Sequence, residues 1–246
     1  MTREEFIADI KTGKGLSEEL QDEITKEQLE NSINKPTRQE WLEERKKGIG
    51  GSDAATILGL NPYKSNIDLW EEKTGRKEAE DISEKAYVKY GTNAEEHLRE
   101  LFKLDFPQYE VSHQENKIIK HSTYPFLFAS LDGQLVDKET GELGILEIKT
   151  TNILQSMQKE KWKDKIPDNY YCQVLHYLNV TGYSFAILKA QLKYDYDGEI
   201  RIETKHYKIS RKEVEEDIEL LEKKEIEFWN EYVEKDKRPP LLLPEI

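Results

Sequence analysis

Hydrophobic and polar side chains alternate along two neighbouring stretches near the middle of the chain. Residues 126–136 and 145–150 are both rich in apolar residues separated by polar ones, and the polar segment between them contains Gly141 and Gly144. Successive side chains of a strand point to opposite faces of a sheet, and glycine readily takes the positive φ angles of turns. The pattern therefore predicts two strands that fold back on each other as a hairpin.

A second pattern, with apolar residues every three or four positions, predicts helices on both sides of the hairpin. Thr37 and Glu40 have the spacing of a capping box and predict the start of a short helix. Other helices are predicted over residues 66–74, 83–106, 168–179 and 210–235. Further strands are predicted over residues 109–119, 183–193 and 199–209. Together these elements predict one α/β domain, in which helices surround a central mixed sheet and a long helix ends the chain.

The beginning of the chain differs from the rest. Residues 1–36 are polar and acidic, with apolar residues such as Phe6, Ile10 and Leu20 at roughly helical spacing. Pro36 interrupts this spacing and marks a boundary. We predict an N-terminal helical extension over residues 1–36, which packs on the fold or binds a partner, and a main domain over residues 37–246.

Composition and charge narrow the class of protein. The chain has 246 residues, of which 36% are hydrophobic, and a net charge of −13. An acidic surface argues against binding nucleic acid over the whole molecule, so an enzyme acting on DNA would concentrate its positive charge in a channel or cleft. A single cysteine excludes a disulfide framework, a zinc ribbon and a four-cysteine iron–sulfur cluster. Neither a signal peptide nor an apolar stretch of about 18 residues is present, so a cytoplasmic location is expected.

The predicted hairpin carries the strongest candidate chemistry. Strand alternation places Glu147 and Lys149 on one face, and the fold-back brings Asp132 towards them. Two carboxylates ~4 Å apart repel by ~4 kcal/mol at an effective dielectric constant of ~20, so such a pair requires a proton or a cation. Oxygen ligands of this kind suit Mg²⁺ or Mn²⁺, and a neighbouring lysine can orient water or a phosphate oxygen. This set of residues is typical of metal-assisted phosphodiester hydrolysis.

The same residues also fit an ordinary half-exposed hairpin, in which Asp132 and Gly133 form only a turn. An acid two residues before a lysine recurs elsewhere, for example at Glu203 and Lys205. Glu147 and Lys149 differ from Glu203 and Lys205 in their apolar surroundings, because residues 126–129 and 145–146 predict a buried strand. Charged side chains in a buried strand are costly unless they have a function.

A glycine-rich segment over residues 48–51 leads into an apolar helix that begins near Ser52 or Asp53. A helix N-terminus of this kind favours an anion such as phosphate, although a purely structural turn fits equally well. The basic residues just before it, Arg45 and Lys46 among them, favour phosphate binding. A second basic window over residues 153–165 is either a contact for backbone phosphates or a solvated linker.

Several motifs, in this order, resemble those of one nuclease family. They are Trp41 and Arg45 followed by Gly-Ile-Gly-Gly-Ser-Asp-Ala-Ala at 48–55, Tyr-Gly-Thr-Asn-Ala-Glu at 90–95, Ser-Leu-Asp-Gly at 130–133, Leu-Glu-Ile-Lys at 146–149, and Tyr-Cys-Gln-Val-Leu-His-Tyr at 171–177. Over residues 38–210 the combination resembles the YqaJ-like viral recombinases, which are related to the phage lambda-type alkaline exonuclease. These proteins belong to the PD-(D/E)xK nuclease superfamily. The resemblance implies its restriction-endonuclease-like core, a central mixed sheet flanked by helices.

The resemblance also implies roles for individual residues. Asp132, Glu147 and the Ile148 carbonyl match the ligands of catalytic Mg²⁺, for which Mn²⁺ is expected to substitute. Lys149 matches the residue that helps to activate water, and Glu95 would complete the acidic cluster and hold a second metal. The positions that bind the 5′-terminal phosphate of DNA are matched by Arg45, Ser52 and Ser130, with Gln173 close to the site. An alignment on Gly48 selects Lys46 instead of Arg45, and Leu131 replaces the proline of the family motif.

The activity implied by the resemblance is digestion of one strand of linear duplex DNA from its 5′ end. The resulting 3′ overhang would serve a RecT-like or Bet-like single-strand annealing protein in a bacterial host, with the enzyme encoded by a phage or prophage. A homotrimeric ring is also implied, and a basic channel inside it would be compatible with the acidic net charge. The alternatives are another nuclease of the superfamily, either a restriction-type endonuclease or a repair nuclease, and a catalytically silent protein that binds DNA ends.

Overall fold

The computed structural model describes residues 36–153, 156–196 and 198–242. The helices are α1 (Arg38–Lys46), α2 (Gly51–Ile57), α3 (Asn66–Lys73), α4 (Ala86–Asp105), α5 (Ser156–Glu160), α6 (Asp168–Thr181) and α7 (Glu215–Glu227). The strands are β1 (Ile49–Gly50), β2 (Tyr109–Ser112), β3 (Ile119–Lys120), β4 (Leu127–Ala129), β5 (Gly133–Asp137), β6 (Leu143–Ile153), β7 (Phe185–Tyr196) and β8 (Glu199–Ser210). None of the helices in these ranges is long and apolar enough to cross a membrane.

The central layer is a five-stranded mixed sheet with the order β2-β5-β6-β7-β8. Strands β5 and β6 form the predicted antiparallel hairpin, in which Gly133 lies opposite Leu146. Strand β7 runs parallel to β6 and antiparallel to β8. A parallel pair needs a crossover connection, and α6 lies between β6 and β7 in the chain and supplies it. The mixed sheet predicted from the sequence is confirmed.

Helices cover both faces of this sheet, because successive strand residues point to opposite sides. Ile145 and Leu188 pack on one side into a core that also contains residues of α2, α6 and α7. Leu146 and Ile187 pack on the other side with Leu98 and other residues of α4. The two apolar cores hold the hairpin between α6 and α4.

Two predicted strands are each divided between two sheets. The predictions over residues 109–119 and 126–136 are wrong in this respect, because each range contains two strands, β2 and β3 in the first and β4 and β5 in the second. Strands β3 and β4 join β1 in a separate three-stranded sheet with the order β1-β4-β3. The chain leaves the small sheet after Ala129 and enters the large one at Gly133. The turn between them contains Asp132, so the break in the strand positions the candidate metal ligand.

The C-terminal helix is also less regular than predicted. Residues 210–235 form a short 3₁₀ turn (Arg211–Glu213), then α7, and then a π-helical segment (Phe228–Val233). Ile218 and Leu221 are buried, as their helical spacing predicted. The wider π-helical turn brings the Tyr232 carbonyl to the indole of Trp70, which donates a hydrogen bond of 2.9 Å to it. The π-helical segment is therefore held against α3.

The first short helix begins where the sequence predicted. The amide of Glu40 donates a 3.2 Å hydrogen bond to the Thr37 hydroxyl, and the Thr37 amide donates a 2.7 Å bond to the Glu40 carboxylate. This confirms the capping box at the start of α1. The predicted helices of the N-terminal extension lie outside the described residues.

Candidate active site

The break between β4 and β5 brings Asp132 to the edge of β6. The amide of Ile148 donates a 2.7 Å hydrogen bond to the Asp132 carboxylate. Strand β5 pairs with β6 only up to the Gly133–Leu146 pair, whereas β6 pairs with β7 as far as Ile153. Within the described residues, the second half of β6 is therefore paired on one side only, and Asp132 lies at the point where its other edge becomes open.

Glu147 and Lys149 lie on the same face of β6, as the two-residue spacing predicted. The Lys149 ammonium is 2.6 Å from one carboxylate oxygen of Glu147. The Glu147 side chain is 1% exposed, and its second oxygen, Oε2, is buried without a hydrogen-bond partner among the described residues. By contrast, the similar pair Glu203 and Lys205 lies on β8 with the Glu203 side chain 47% exposed. The buried setting expected for the first pair is present, and the second lacks it.

The ionisation of this pair is strongly shifted. Burial and, after it, the nearby Asp132 carboxylate raise the pKa of Glu147 to about 8 against the opposing effect of Lys149. Burial alone would lower the pKa of Lys149, but the Glu147 and Asp132 carboxylates outweigh it and raise the pKa of this ammonium. Near neutral pH and without a bound cation, the Glu147 carboxyl group therefore keeps its proton. This is expected where neighbouring carboxylates are buried together without enough positive charge to balance them.

Glu95 approaches the site from α4. Burial and the Asp132 charge raise the pKa of Glu95 to about 7, so the two carboxylates interact. However, the Glu95 carboxylate is paired with Arg99, 3.2 Å away. Among the described residues, no three acidic, histidine or cysteine side chains form a ready-made metal site. The structure thus places Glu95 near Asp132 but not in a preformed cage of three carboxylates.

The donors present nevertheless fit a hard divalent cation. Oε2 of Glu147 is buried without a partner in the described part of the chain, and a bound cation would satisfy it. The N–H and C=O of one strand residue point to the same side of the strand, so the Ile148 carbonyl faces the same open edge as its amide. Asp132, Glu147 and this carbonyl would supply the oxygen ligands that Mg²⁺ and Mn²⁺ prefer.

Helix α6 forms one wall of the site. Gln173 is buried, and its amide donates a 3.0 Å hydrogen bond to the Tyr177 hydroxyl. Burial and the Glu147 carboxylate raise the pKa of Tyr177, which keeps this hydroxyl neutral beside the carboxylates. Gly51 explains how α2 approaches so closely, since a Cβ there would lie 2.5 Å from the Tyr177 ring and 2.9 Å from the Gln173 side chain. The glycine-rich segment therefore serves packing as well as any binding role.

Three residues predicted to bind a 5′-phosphate are brought together by Trp41. The Trp41 indole donates a 3.3 Å hydrogen bond to the Ser130 hydroxyl, and the Arg45 guanidinium lies 4.5 Å above its ring centroid. Arg45 also donates a 3.0 Å hydrogen bond to the Ser52 hydroxyl. We call Trp41, Arg45, Ser52 and Ser130 the Trp41 cluster. The alternative, Lys46, is paired with Glu43 at 2.7 Å and is not part of the cluster.

A buried ion pair supports this cluster from beneath. Lys73 is 2.9 Å from the Asp53 carboxylate and donates a 3.1 Å hydrogen bond to the Arg45 carbonyl. Burial opposes ionisation of Asp53, but Lys73 prevails and lowers the pKa of this acid to about 2. Sequence reasoning missed Lys73 because it lies at the end of an ordinary amphipathic helix, where a lysine is common. No local pattern reveals which partner a helical lysine will meet.

The basic window is anchored beside Lys149 through aromatic rings. Trp162 is 2% exposed and lies 5.5 Å from the Tyr170 ring, and Tyr170 lies 5.4 Å from the Lys149 ammonium. Lys205 and Tyr207 of β8 both donate hydrogen bonds to the Trp162 carbonyl, at 2.9 Å and 2.7 Å. Within the window, Lys159, Lys161 and Lys163 remain exposed. The part of the window around Trp162 is therefore anchored next to the site.

A family model and a curated relative both match this chain. Residues 40–184 match the family model described as the YqaJ-like viral recombinase domain. The chain is 38% identical over 210 residues to the uncharacterized protein YqaJ of Bacillus subtilis strain 168, a match that covers 83% of this chain and 59% of that protein. The chain thus spans 59% of the length of the curated relative that it matches.

Two solved structures share the fold. An alkaline exonuclease, LHK-Exo from Laribacter hongkongensis, has a TM-score of 0.53 and 18% identity, over 80% of this chain and 97% of that one. The same exonuclease in complex with dAMP gives a TM-score of 0.52 and 19% identity, over the same shares of both chains. These likenesses confirm the PD-(D/E)xK fold predicted from the sequence. Because the family model spans more than half of the chain, including the hairpin and the Trp41 cluster, this protein belongs to the YqaJ-like viral recombinase family.

Proposed function

We propose that the protein is a Mg²⁺-dependent exonuclease that degrades one strand of linear double-stranded DNA from its 5′ end. The observation that carries this proposal is the buried Glu147 carboxylate, paired with Lys149 on one oxygen and without a partner among the described residues on the other. Beside it, the Asp132 carboxylate accepts a hydrogen bond from the Ile148 amide of the same strand. Family membership supports a nuclease, and the relation to alkaline exonucleases in fold is consistent with it.

The residues divide the reaction between them. Asp132, Glu147 and the Ile148 carbonyl would hold Mg²⁺, which when bound would polarise the scissile phosphate and the attacking water. Lys149 has a raised pKa, so it remains protonated and acts as a hydrogen-bond donor to water or to a phosphate oxygen rather than as a base. The Trp41 cluster would hold the 5′-terminal phosphate, with Arg45 supplying the charge.

The proposal includes partners suited to recombination. A homotrimeric ring around DNA would separate an acidic exterior from a basic interior, consistent with the net charge of −13. The 3′ overhang would pass to a RecT-like or Bet-like annealing protein, and residues 1–36 are proposed to contact it. Deletion of residues 1–35 should weaken capture of the annealing protein while sparing nuclease activity, and an unchanged complex would contradict this contact.

The polarity of digestion tests the proposed direction. A linear duplex labelled on the 5′ end of one strand or on its 3′ end is incubated with the full chain and Mg²⁺. The account predicts early release of the 5′ label as a mononucleotide, with the 3′ label retained in long fragments. Early release of the 3′ label, or long internal fragments from both substrates, would overturn the proposed direction.

A further inference from the structure

A groove lies between the start of α4 and the strands β6 and β7, beside the candidate active site. It has a volume of about 270 Å³ and is lined by Tyr87, Tyr90, Thr150, Thr151, Asn152 and Lys193 among others. We call it the Tyr87 groove. This volume is slightly below the range of about 300–1,000 Å³ that holds drug-sized molecules, so the groove suits a unit the size of a nucleotide.

The lining combines aromatic rings with a positive charge. The Tyr87 and Tyr90 side chains are 56% and 36% exposed, although large aromatic residues are usually buried. The Lys193 ammonium lies 3.8 Å from the Tyr90 ring centroid, and the Tyr90 hydroxyl donates a 2.6 Å hydrogen bond to Gln191. Exposed aromatic rings beside lysines are the features with which proteins bind single-stranded nucleic acid, because every base has a face that can stack.

Polar groups that could meet a strand are also present in the groove. Thr150 and Asn152 alternate with Thr151 along β6, so their side chains face α4 and line the groove. In addition, the edge of β6 from Glu147 to Ile153 has no strand partner opposite β7 within the described residues. Unpaired backbone groups favour a ligand that carries hydrogen-bonding atoms.

The position of the groove indicates which part of a DNA strand would reach it. Ser130 of the Trp41 cluster comes two residues before Asp132, and Thr150 of the groove comes two residues after Ile148. The Ile148 amide donates a hydrogen bond to Asp132, so the cluster and the groove adjoin this carboxylate from two different segments of the chain, the turn before β5 and strand β6. A DNA strand with its 5′-phosphate at the Trp41 cluster would pass the carboxylates and then meet the groove.

We propose that the Tyr87 groove binds the strand being hydrolysed, on the 3′ side of the scissile phosphate. A base stacks on Tyr87 and Tyr90, and Lys193 contacts the adjoining phosphate. This assignment rests on the proposed nuclease function and adds to it the site that holds the unpaired nucleotides next to the cut. It explains why tyrosines are exposed at the start of α4, where apolar packing would not require them.

Coupling between a tyrosine and a base tests the assignment. The full chain carrying Asp132→Asn, which prevents hydrolysis, is titrated with a duplex that has a short 5′-phosphorylated single-stranded end. The second and third nucleotides of that end are either normal or abasic. Tyr87→Leu should weaken binding of the normal DNA by about 5- to 150-fold and abolish the penalty of the abasic sites. Tyr87→Phe, which keeps the ring, should retain both the affinity and the penalty.

Two further variants complete the experiment, one outside the groove as a control and one at Lys193. Tyr63 is 87% exposed outside the groove, so Tyr63→Leu should leave binding unchanged. Lys193→Gln should weaken binding of all these DNAs and reduce the salt dependence by about one phosphate contact, a slope change of about 0.7. The assignment would be overturned if Tyr87→Leu and the abasic sites weakened binding independently of each other. It would also be overturned if the effect of Tyr87→Leu on affinity depended only on abasic sites in the other strand.

The test separates this assignment from the proposed function. If the wild-type chain digests linear DNA while Tyr87→Leu and the abasic sites act independently, only the groove assignment fails. If the wild-type chain neither digests nor binds DNA, the proposed function and the groove assignment fail together.

Discussion

The charge on Lys149 determines what this residue can contribute to the proposed hydrolysis. The neighbouring carboxylates raise the pKa of Lys149, so the side chain is a cation throughout the physiological range. It can donate hydrogen bonds to water or phosphate, but it cannot accept the proton of the attacking water. A proton acceptor must therefore come from elsewhere, for example from solvent or from a phosphate oxygen.

Removal of Lys149 should affect the rate far more than the stability. Lys149→Ala should lower the rate of linear duplex digestion by about 10²- to 10⁴-fold, the range typical of such donors. Loss of a buried ion-pair partner is usually costly, but Glu147 has a pKa of about 8 and can take up a proton instead. The urea unfolding midpoint should therefore change little at neutral pH. A rate within a few-fold of wild type would contradict the role of Lys149.

The Trp41 cluster makes a separate prediction about the DNA end. Arg45→Ala should slow digestion of 5′-phosphorylated duplex by about 10- to 150-fold, the worth of a hydrogen bond to a charged group. Digestion of 5′-hydroxyl duplex should slow much less. Lys46→Ala is the matched control, because Lys46 is paired with Glu43 and lies outside the cluster. Equal slowing of both substrates by Arg45→Ala would remove Arg45 from the phosphate site.

Local patterns in the sequence predicted the candidate catalytic residues but not their supports. Glu147 and Lys149 are two positions apart, so strand alternation alone placed them on one face. Asp53 and Lys73 come from different helices, so their pairing was not predicted. Pairings of this kind depend on tertiary contacts and leave no periodic signal in the chain.

At the scale of elements, the close contact between α2 and α6 is the most sensitive feature near the site. Gly51→Ala would place a Cβ 2.5 Å from the buried Tyr177 ring, which must then move. The expected loss of stability is about 1–3 kcal/mol, as for other overpacked sites. Ser52→Ala, the next residue and an exposed one, should change the free energy of unfolding by less than about 0.5 kcal/mol. Chemical denaturation of both variants measures the difference, and similar values would contradict the packing role of Gly51.

The hairpin and α4 together predict how a metal alters stability with pH. Burial raises the pKa of Glu147 to about 8 and that of Glu95 to about 7, above the ordinary value of 4.5. The folded state therefore keeps protons that the unfolded chain loses, and the stability from these groups falls as the pH rises from about 4.5 to about 8. Mg²⁺ would replace those protons, so its stabilising effect should be larger at high pH.

Thermal unfolding with Mg²⁺ or EDTA checks this linkage. The increase in Tm on adding Mg²⁺ should be larger by a few °C at about pH 8.5 than at about pH 5.5. Glu147→Gln should remove most of the difference between the two pH values. The same Mg²⁺ effect at both pH values, or in the Glu147→Gln variant, would contradict binding at these carboxylates.

The elements that the sequence predicted wrongly share a physical cause. The strands β1, β3 and β4 contain two or three residues each, too few to show an alternating pattern. The apolar pattern of residues 126–136 continues through the turn at Asp132, because both sheets bury the side chains that they receive. Only the change of pairing partner, which depends on the whole fold, reveals the break between β4 and β5.

At the scale of the whole molecule, the acidic surface limits how DNA can be bound. With a net charge of −13, the proposed nuclease would have to restrict DNA to local basic surfaces. The described chain offers three such surfaces around the carboxylates, namely the Trp41 cluster, the exposed lysines near Trp162 and Lys193 in the Tyr87 groove. Their arrangement would concentrate positive charge beside the carboxylates proposed to carry out the cut.

Requirement for a DNA end is the most direct test of the proposed function. Linear 5′-phosphorylated duplex and closed circular plasmid are incubated separately with the wild-type chain or with Asp132→Ala, in Mg²⁺ or in EDTA. We predict that only the linear DNA is degraded, and only by the wild-type chain with Mg²⁺. Cleavage of the closed circle would contradict the exonuclease and indicate an endonuclease, and no digestion of either substrate would indicate a silent DNA-end-binding protein.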